Sequence, residues 1–168
     1  MRERTPDHID WILAQWRRER PELATAPMGT VGRLFRVTAR AEALLGEGLA
    51  PFGLQPGWFD LLAALRRAGP PYELTPTDLM RATMLSSGGI TKLLDRLAAA
   101  GLVERRPDPS DRRGTLVGLT REGRTVIDEA VEAHLDNEDR LLRSLTRAER
   151  RTLDGLLRTL LAGLEEGP

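Results

Sequence analysis

Residues Ser86 to Leu119 read SSGGITKLLDRLAAAGLVERRPDPSDRRGTLVGL, and the rest of the chain is arranged around them. In the first half Ile90, Leu93, Leu94, Leu97 and Ala98 recur at intervals of three and four. That spacing gathers apolar groups on one side of a helix and leaves Ser87, Thr91, Lys92 and Asp95 on the other. The expectation is a short helix with one docked face and one offered face. Gly101 suits the left-handed turn that ends a helix, and Leu102 and Val103 then open an extended arm that Pro107 and Pro109 interrupt. The β-prone run Thr115 to Leu119 pairs back as a hairpin. Between the two arms lies a charged loop with Arg112 and Arg113 near its tip, while Arg105 and Arg106 sit on the incoming arm. Arginine fits phosphates and narrow minor grooves, and a helix fits the major groove, so a basic loop beside an offered helix suits a nucleic acid duplex.

Just upstream, Thr75, Pro76 and Asp78 have the chemistry of a helix start: a hydroxyl cap, a proline at the first helical position and an acid at the third. A short helix over roughly 76–81 and a tight connection lead to the helix that begins near Ser86. Helix, turn, helix and hairpin wing, in that order, is the winged helix-turn-helix arrangement.

The chain has 168 residues, 40% of them hydrophobic but only 4% aromatic, so leucine and alanine must do most of the packing. Lys plus Arg and Asp plus Glu both number 25, so bulk charge does not announce a nucleic acid partner. The distribution is more telling: residues 86–124 carry 8 basic and 5 acidic side chains, whereas residues 125–168 carry 6 and 10. The absence of cysteine removes disulfides, thiol redox chemistry and thiolate metal sites, and the two histidines, His8 and His134, form no local metal motif. No apolar run approaches the ~20 residues of a membrane span and no secretory segment follows Met1, so the expectation is a cytoplasmic protein.

Outside the central stretch the pattern is helical. Ile9, Ile12, Leu13 and Trp16 share one side of an amphipathic helix over 5–20 that Pro21 ends. After a loop containing Pro27, a second helix carries Val31, Leu34, Phe35, Thr38, Ala41, Leu45 and Leu49 as far as Pro51. Pro56 opens a third, with Trp58, Leu61, Leu62 and Leu65 on its buried side, and Tyr72 to Leu74 is short enough to add an edge strand. Thr120 caps a long helix on whose buried line His134 falls as a packing or interfacial histidine, and Thr146 with Glu149 forms a capping box. The last helix carries Leu153, Leu156, Leu157, Leu160, Leu161 and Leu164 in one stripe, which needs a partner surface; the first helices and a second subunit are the candidates.

At this point residues 101–124, GLVERRPDPSDRRGTLVGLTREGR, resemble the wing signature of the MarR family of bacterial transcription regulators, and the element order matches over nearly the whole chain. The fold implied is mainly α: one chain, 1–168, with a helical dimerisation region at 5–51 and 121–165 and a winged helix-turn-helix lobe at 56–119 bearing a two- or three-stranded antiparallel wing sheet. Candidate DNA contacts are Ser86, Ser87, Gly88, Thr91 and Lys92 on the recognition helix and Arg105, Arg106, Arg112 and Arg113 on the wing. The resemblance implies that Arg113 reaches the minor groove and that Asp111 orients the wing arginines. Arg105 and Arg106 read as phosphate clamps or as partners of Asp108 and Asp111. The extra N-terminal helix and the WFDLL segment resemble the urate-responsive subgroup, in which residues matching Trp16 and Asp60 line the effector pocket with an arginine of the recognition helix; here Leu93 stands at that arginine's place.

The function expected is a sequence-specific regulator of transcription binding double-stranded DNA, a ligand-responsive repressor acting as a homodimer on a pseudo-palindromic operator with half-sites ~34–36 Å apart. A small aromatic or phenolic effector is the expected ligand, with no metal or organic cofactor and no membrane partner. The alternative is a constitutive architectural DNA binder that uses the same helix and wing without an effector. Enzyme chemistry is not expected, because nucleophile elbow, phosphate loop, dinucleotide fingerprint and clustered histidines are all missing from the sequence.

Overall fold

The computed structural model describes residues 5–83, 89–111 and 114–166, and they fall into two compact units that divide between Leu44 and Leu45. The first unit holds α1 (His8–Glu19) and most of α2 (Ala26–Leu49). Asp7 caps α1 by accepting from the Asp10 N–H at 2.9 Å, and Asp10 returns the contact by accepting from the Asp7 N–H at 3.0 Å. Arg33 on α2 donates to both acids, at 2.8 Å to Asp7 and 2.6 Å to Asp10. Ile9 and Leu13 are buried against α2 at Gly32 and Gly29, where an added Cβ would lie 3.1 Å from each side chain's tip. Two glycines therefore let the helices approach, and the acid–arginine cluster fixes the rotation between them. Pro27, expected in a loop, instead sits in the first turn of α2, where the missing N–H has no intrahelical acceptor to lose.

The second unit begins with the last turn of α2 and a short 3₁₀ turn, then α3 (Pro56–Arg67), β1 (Glu73–Leu74), α4 (Pro76–Ala82), α5 (Ile90–Ala99), β2 (Val103–Pro107), β3 (Thr115–Leu119), α6 (Arg121–Leu141) and α7 (Arg147–Glu165). Its core is nearly all aliphatic: Leu61, Leu62 and Leu65 of α3, Leu79 of α4, Leu94 and Leu97 of α5, Val117 of β3 and Ile127 of α6. At about 1.5–3 kcal/mol per buried side chain, these contacts rather than helix propensity hold the short helices α4 and α5 in place. The three strands form an antiparallel sheet in the order β1-β3-β2, with Leu74 opposite Val117 and Val103 opposite Leu119.

Thr120 joins the sheet to α6. Its hydroxyl accepts from the Gly123 N–H at 2.9 Å and donates to the Gly101 carbonyl at 2.7 Å, while its own N–H reaches the Leu102 carbonyl at 3.2 Å. The start of α6 thus lies against the turn that ends α5, so closely that a Cβ on Gly123 would be 1.9 Å from the Leu102 oxygen. That turn is the glycine-terminated reversal expected: Gly101 has φ 72° and the Leu102 N–H bonds to the Leu97 carbonyl at 3.0 Å. In α7, by contrast, every residue but Arg150 is exposed, and the capping box of Thr146 and Glu149 starts a helix whose leucine stripe meets no core among the described residues. Among the described residues no helix is long and apolar enough to cross a membrane.

Candidate nucleic-acid interface

The helix α5 is supported from behind by α3 and α4. Thr75 caps α4 through the Asp78 N–H at 3.1 Å, Arg67 at the end of α3 donates to the carbonyl of Ala82, and Thr83 donates to the Leu79 carbonyl at 2.9 Å to end the helix. On α5, Ile90, Leu94 and Leu97 are buried and Leu93 packs against the core, whereas Thr91, Lys92, Asp95 and Arg96 are exposed. The docked and offered faces fall where the periodicity puts them, except that Ala98, read as docked, is exposed. The helix begins at Ile90 behind Gly89; Ser86, Ser87 and Gly88 lie outside the described residues, as do Arg112 and Arg113 at the wing tip.

The neck of the wing loop closes tightly. The Asp108 N–H bonds to the Gly114 carbonyl at 3.0 Å and the Gly114 N–H to the Asp111 carbonyl at 2.8 Å. Asp108 also accepts from the Ser110 hydroxyl at 2.6 Å and the Ser110 N–H at 2.8 Å, and the Ser110 hydroxyl is the main reason its carboxyl is held below the usual range. A Cβ at Gly114 would sit 2.8 Å from the Asp108 Cβ, so any larger residue there would force the neck to shift. Asp111 is exposed at this neck, next in sequence to the tip arginines it was expected to orient.

The arm arginines find acids on other elements. Arg105 lies 2.8 Å from Asp95 on α5, and Arg106 pairs with Glu73 on β1. Successive side chains of a strand point to opposite faces, which is why two adjacent arginines go to different partners. Their direct partners are therefore Asp95 and Glu73 rather than Asp108 and Asp111; Arg106 acts on Asp108 only as the weakest of several influences.

The two effector candidates belong to different units. Trp16 on α1 is 39% exposed beside a shallow recess that it shares with Gln15 and Glu19. Asp60 on α3 is half-buried; burial pushes its carboxyl up, and the charges of His134 and Arg67 pull back more weakly. Sequence reasoning did not find the cleft of about 740 Å³ between α3 and α6, lined among others by Phe59, Ala63, Arg66, Arg67, Val131 and His134. The His134 ring lies 4.4 Å from that of Phe59, its Nε2 is 3.3 Å from Glu138, and its Nδ1 is buried with no partner among the described residues. The one signal in the sequence was a histidine on an otherwise apolar line.

The profile of the MarR family matches residues 52–114, the span from the start of the lobe to the wing neck. Over 146 residues the chain is 38% identical to the HTH-type transcriptional regulator PecS of Dickeya dadantii, covering 87% of this chain and 88% of that protein. The chain belongs to the MarR family. Among solved MarR-family structures, a cysteine-to-serine variant of MarR from Escherichia coli complexed with operator DNA is similar at a TM-score of 0.72 and 32% identity, over 83% of this chain and 99% of that one. Bordetella bronchiseptica BpsR, whose structure concerns the regulation of its DNA binding by 6-hydroxynicotinic acid, is similar at 0.68 and 30%, over 78% and 98%.

Proposed function

We propose that this MarR-family chain is a homodimeric repressor that binds a pseudo-palindromic operator and is released by a small aromatic or phenolic effector. The observation that carries the DNA reading is the split of α5: its apolar side is buried in the lobe while Thr91 and Lys92 face outward beside a basic-tipped wing. In this reading Thr91 and Lys92 meet base edges and phosphates, Ser86, Ser87 and Gly88 bring the helix start close to the backbone, and Arg113, with Arg112, enters the minor groove with Asp111 steadying the loop.

The dimer reading is supported by α7, where Leu153, Leu156, Leu157, Leu160, Leu161 and Leu164 are between 38% and 70% exposed. A six-leucine stripe left in water is the kind of surface a second copy covers. Two-fold pairing would place one α5 from each subunit on successive major-groove faces.

For the effector, Trp16 and Asp60 are the residues whose substitution should alter the response. Leu93 packs against the core where the urate-responsive subgroup carries an arginine, so an anionic purine here would lack a charge-assisted contact worth about 1.5–3 kcal/mol. A relative regulated by 6-hydroxynicotinic acid fits a smaller aromatic ligand. The test is a gel shift of the chain on the DNA upstream of its own gene, with and without urate and a panel of phenolic and aromatic acids. Retarded DNA released by at least one compound is expected. Retardation that no compound reverses would favour an architectural binder, and no retardation would overturn the reading.

A further inference from the structure

Asp95 stands on the offered face of α5, one turn from Thr91 and Lys92, where an acid would repel a phosphate backbone. Glu73 is stranger still: its side chain is only 12% exposed, yet it is a carboxylate on a two-residue edge strand. Both are explained by the arginines they hold. Arg105 lies 2.8 Å from Asp95, and Arg106 pairs with Glu73.

The second pair is built into the sheet. Glu73 is opposite Gly118 on β3, which in turn is opposite Glu104 on β2, so the Glu73 side chain must cross β3 to reach Arg106. It crosses at Gly118, where an added Cβ would lie 2.9 Å from the Glu73 Cγ. The root of β1 is held as well, because the guanidinium groups of Arg66 and Arg124 both lie against the ring of the preceding Tyr72, at 5.1 and 4.8 Å from its centre.

Resting on the DNA-binding reading above, we propose that Glu73 and Asp95 are specificity-determining residues: by holding Arg106 and Arg105 they keep two cations of the wing arm out of indiscriminate phosphate contact. Binding to arbitrary DNA is set by the number of phosphates that basic side chains neutralise. An arginine already paired with a carboxylate adds little to that number, and breaking the pair would leave an acid beside the phosphates. Sequence choice then falls to α5 and the wing tip. The chain thereby trades raw affinity for discrimination.

The test measures affinity against salt for the duplex upstream of the chain's own gene and for a scrambled duplex of the same length and composition. In Glu73→Gln and in Asp95→Asn the slope of log K against log salt for the scrambled duplex should steepen by about 0.9 for the one cation freed. Scrambled-duplex affinity should rise several-fold at ~0.1 M salt, and the preference for the upstream duplex should fall. Glu104→Gln removes the same charge from an exposed position on β2, the strand that carries the two arginines, and should leave the slope unchanged. The effects should also vanish when Glu73→Gln is made in an Arg106→Gln chain and Asp95→Asn in an Arg105→Gln chain. Unchanged slopes in both acid variants, an equal change in Glu104→Gln, or effects that persist without the arginines would overturn the inference while leaving the DNA reading intact. A wild-type chain that binds neither duplex overturns both.

Discussion

At the residue scale, Gly123 and Asp60 show how the lobe is constrained. Gly123 is in the first turn of α6 because the Leu102 carbonyl occupies the space a side chain would need. The obstruction is backbone, so it cannot swing aside as a side-chain tip would. Gly123→Ala is expected to lower stability by at least about 2 kcal/mol, since either the turn after α5 or the start of α6 must shift; a thermal melt within a degree of wild type would contradict this. Asp60 acts in the other direction. Burial raises its folded pKa, so the folded state favours the protonated acid, and its contribution falls as pH rises through the shifted value. Asp60→Asn should therefore raise the melting temperature at pH 7, with a smaller difference near pH 4. A lower melting temperature at pH 7 would mean that His134 and Arg67 stabilise the ionised carboxyl more than burial opposes it.

At the scale of elements, α1 and α2 are joined by a cluster that acid should loosen. The hydrogen bond from Arg33, with that from the Asp10 N–H, lowers Asp7 from its ordinary 3.8 to about 2, and the Asp7 N–H followed by Arg33 lowers Asp10 in the same direction. A depressed carboxyl contributes stability that is present above the unfolded value and lost as pH falls through the folded one. Amide protection of α1 should accordingly drop between about pH 4 and pH 2, and Arg33→Ala should flatten that profile; an unchanged profile in the variant would rule out the cluster as the cause. Local features such as the Asp78-facing cap at Thr75, the turn at Gly101 and the Thr146 capping box were legible in the sequence because their chemistry lies within four residues. The offered face of α5 was legible for the same reason, its period being shorter than the helix. The partners of Arg105 and Arg106 were not. Glu73 is 33 residues away and reaches Arg106 only through the register of a three-stranded sheet, which no local pattern encodes. Pro27 misled because a proline reads as a break unless the first turn of a helix is already placed around it.

At the scale of the molecule, the proposed grip on a duplex takes two chains. A charged group in the α7 stripe should be tolerated by the fold of the single chain, since all six leucines of the stripe are exposed, but not by a dimer that buries it. Leu157→Asp should yield a folded monomer by analytical ultracentrifugation, with operator affinity lost at concentrations where wild type is dimeric; a Leu157→Asp dimer would place the interface elsewhere. The central claim is that paired α5 helices read a duplex through Thr91 and Lys92. The most direct measurement is an anisotropy titration of the labelled upstream duplex with wild type and with a Thr91→Ala, Lys92→Ala double variant. Wild type should saturate at two chains per duplex and the variant should bind at least ~10-fold more weakly, about 1.4 kcal/mol, with a salt slope shallower by about 0.9 for the lost cation. Full affinity and an unchanged slope in the double variant would contradict the account.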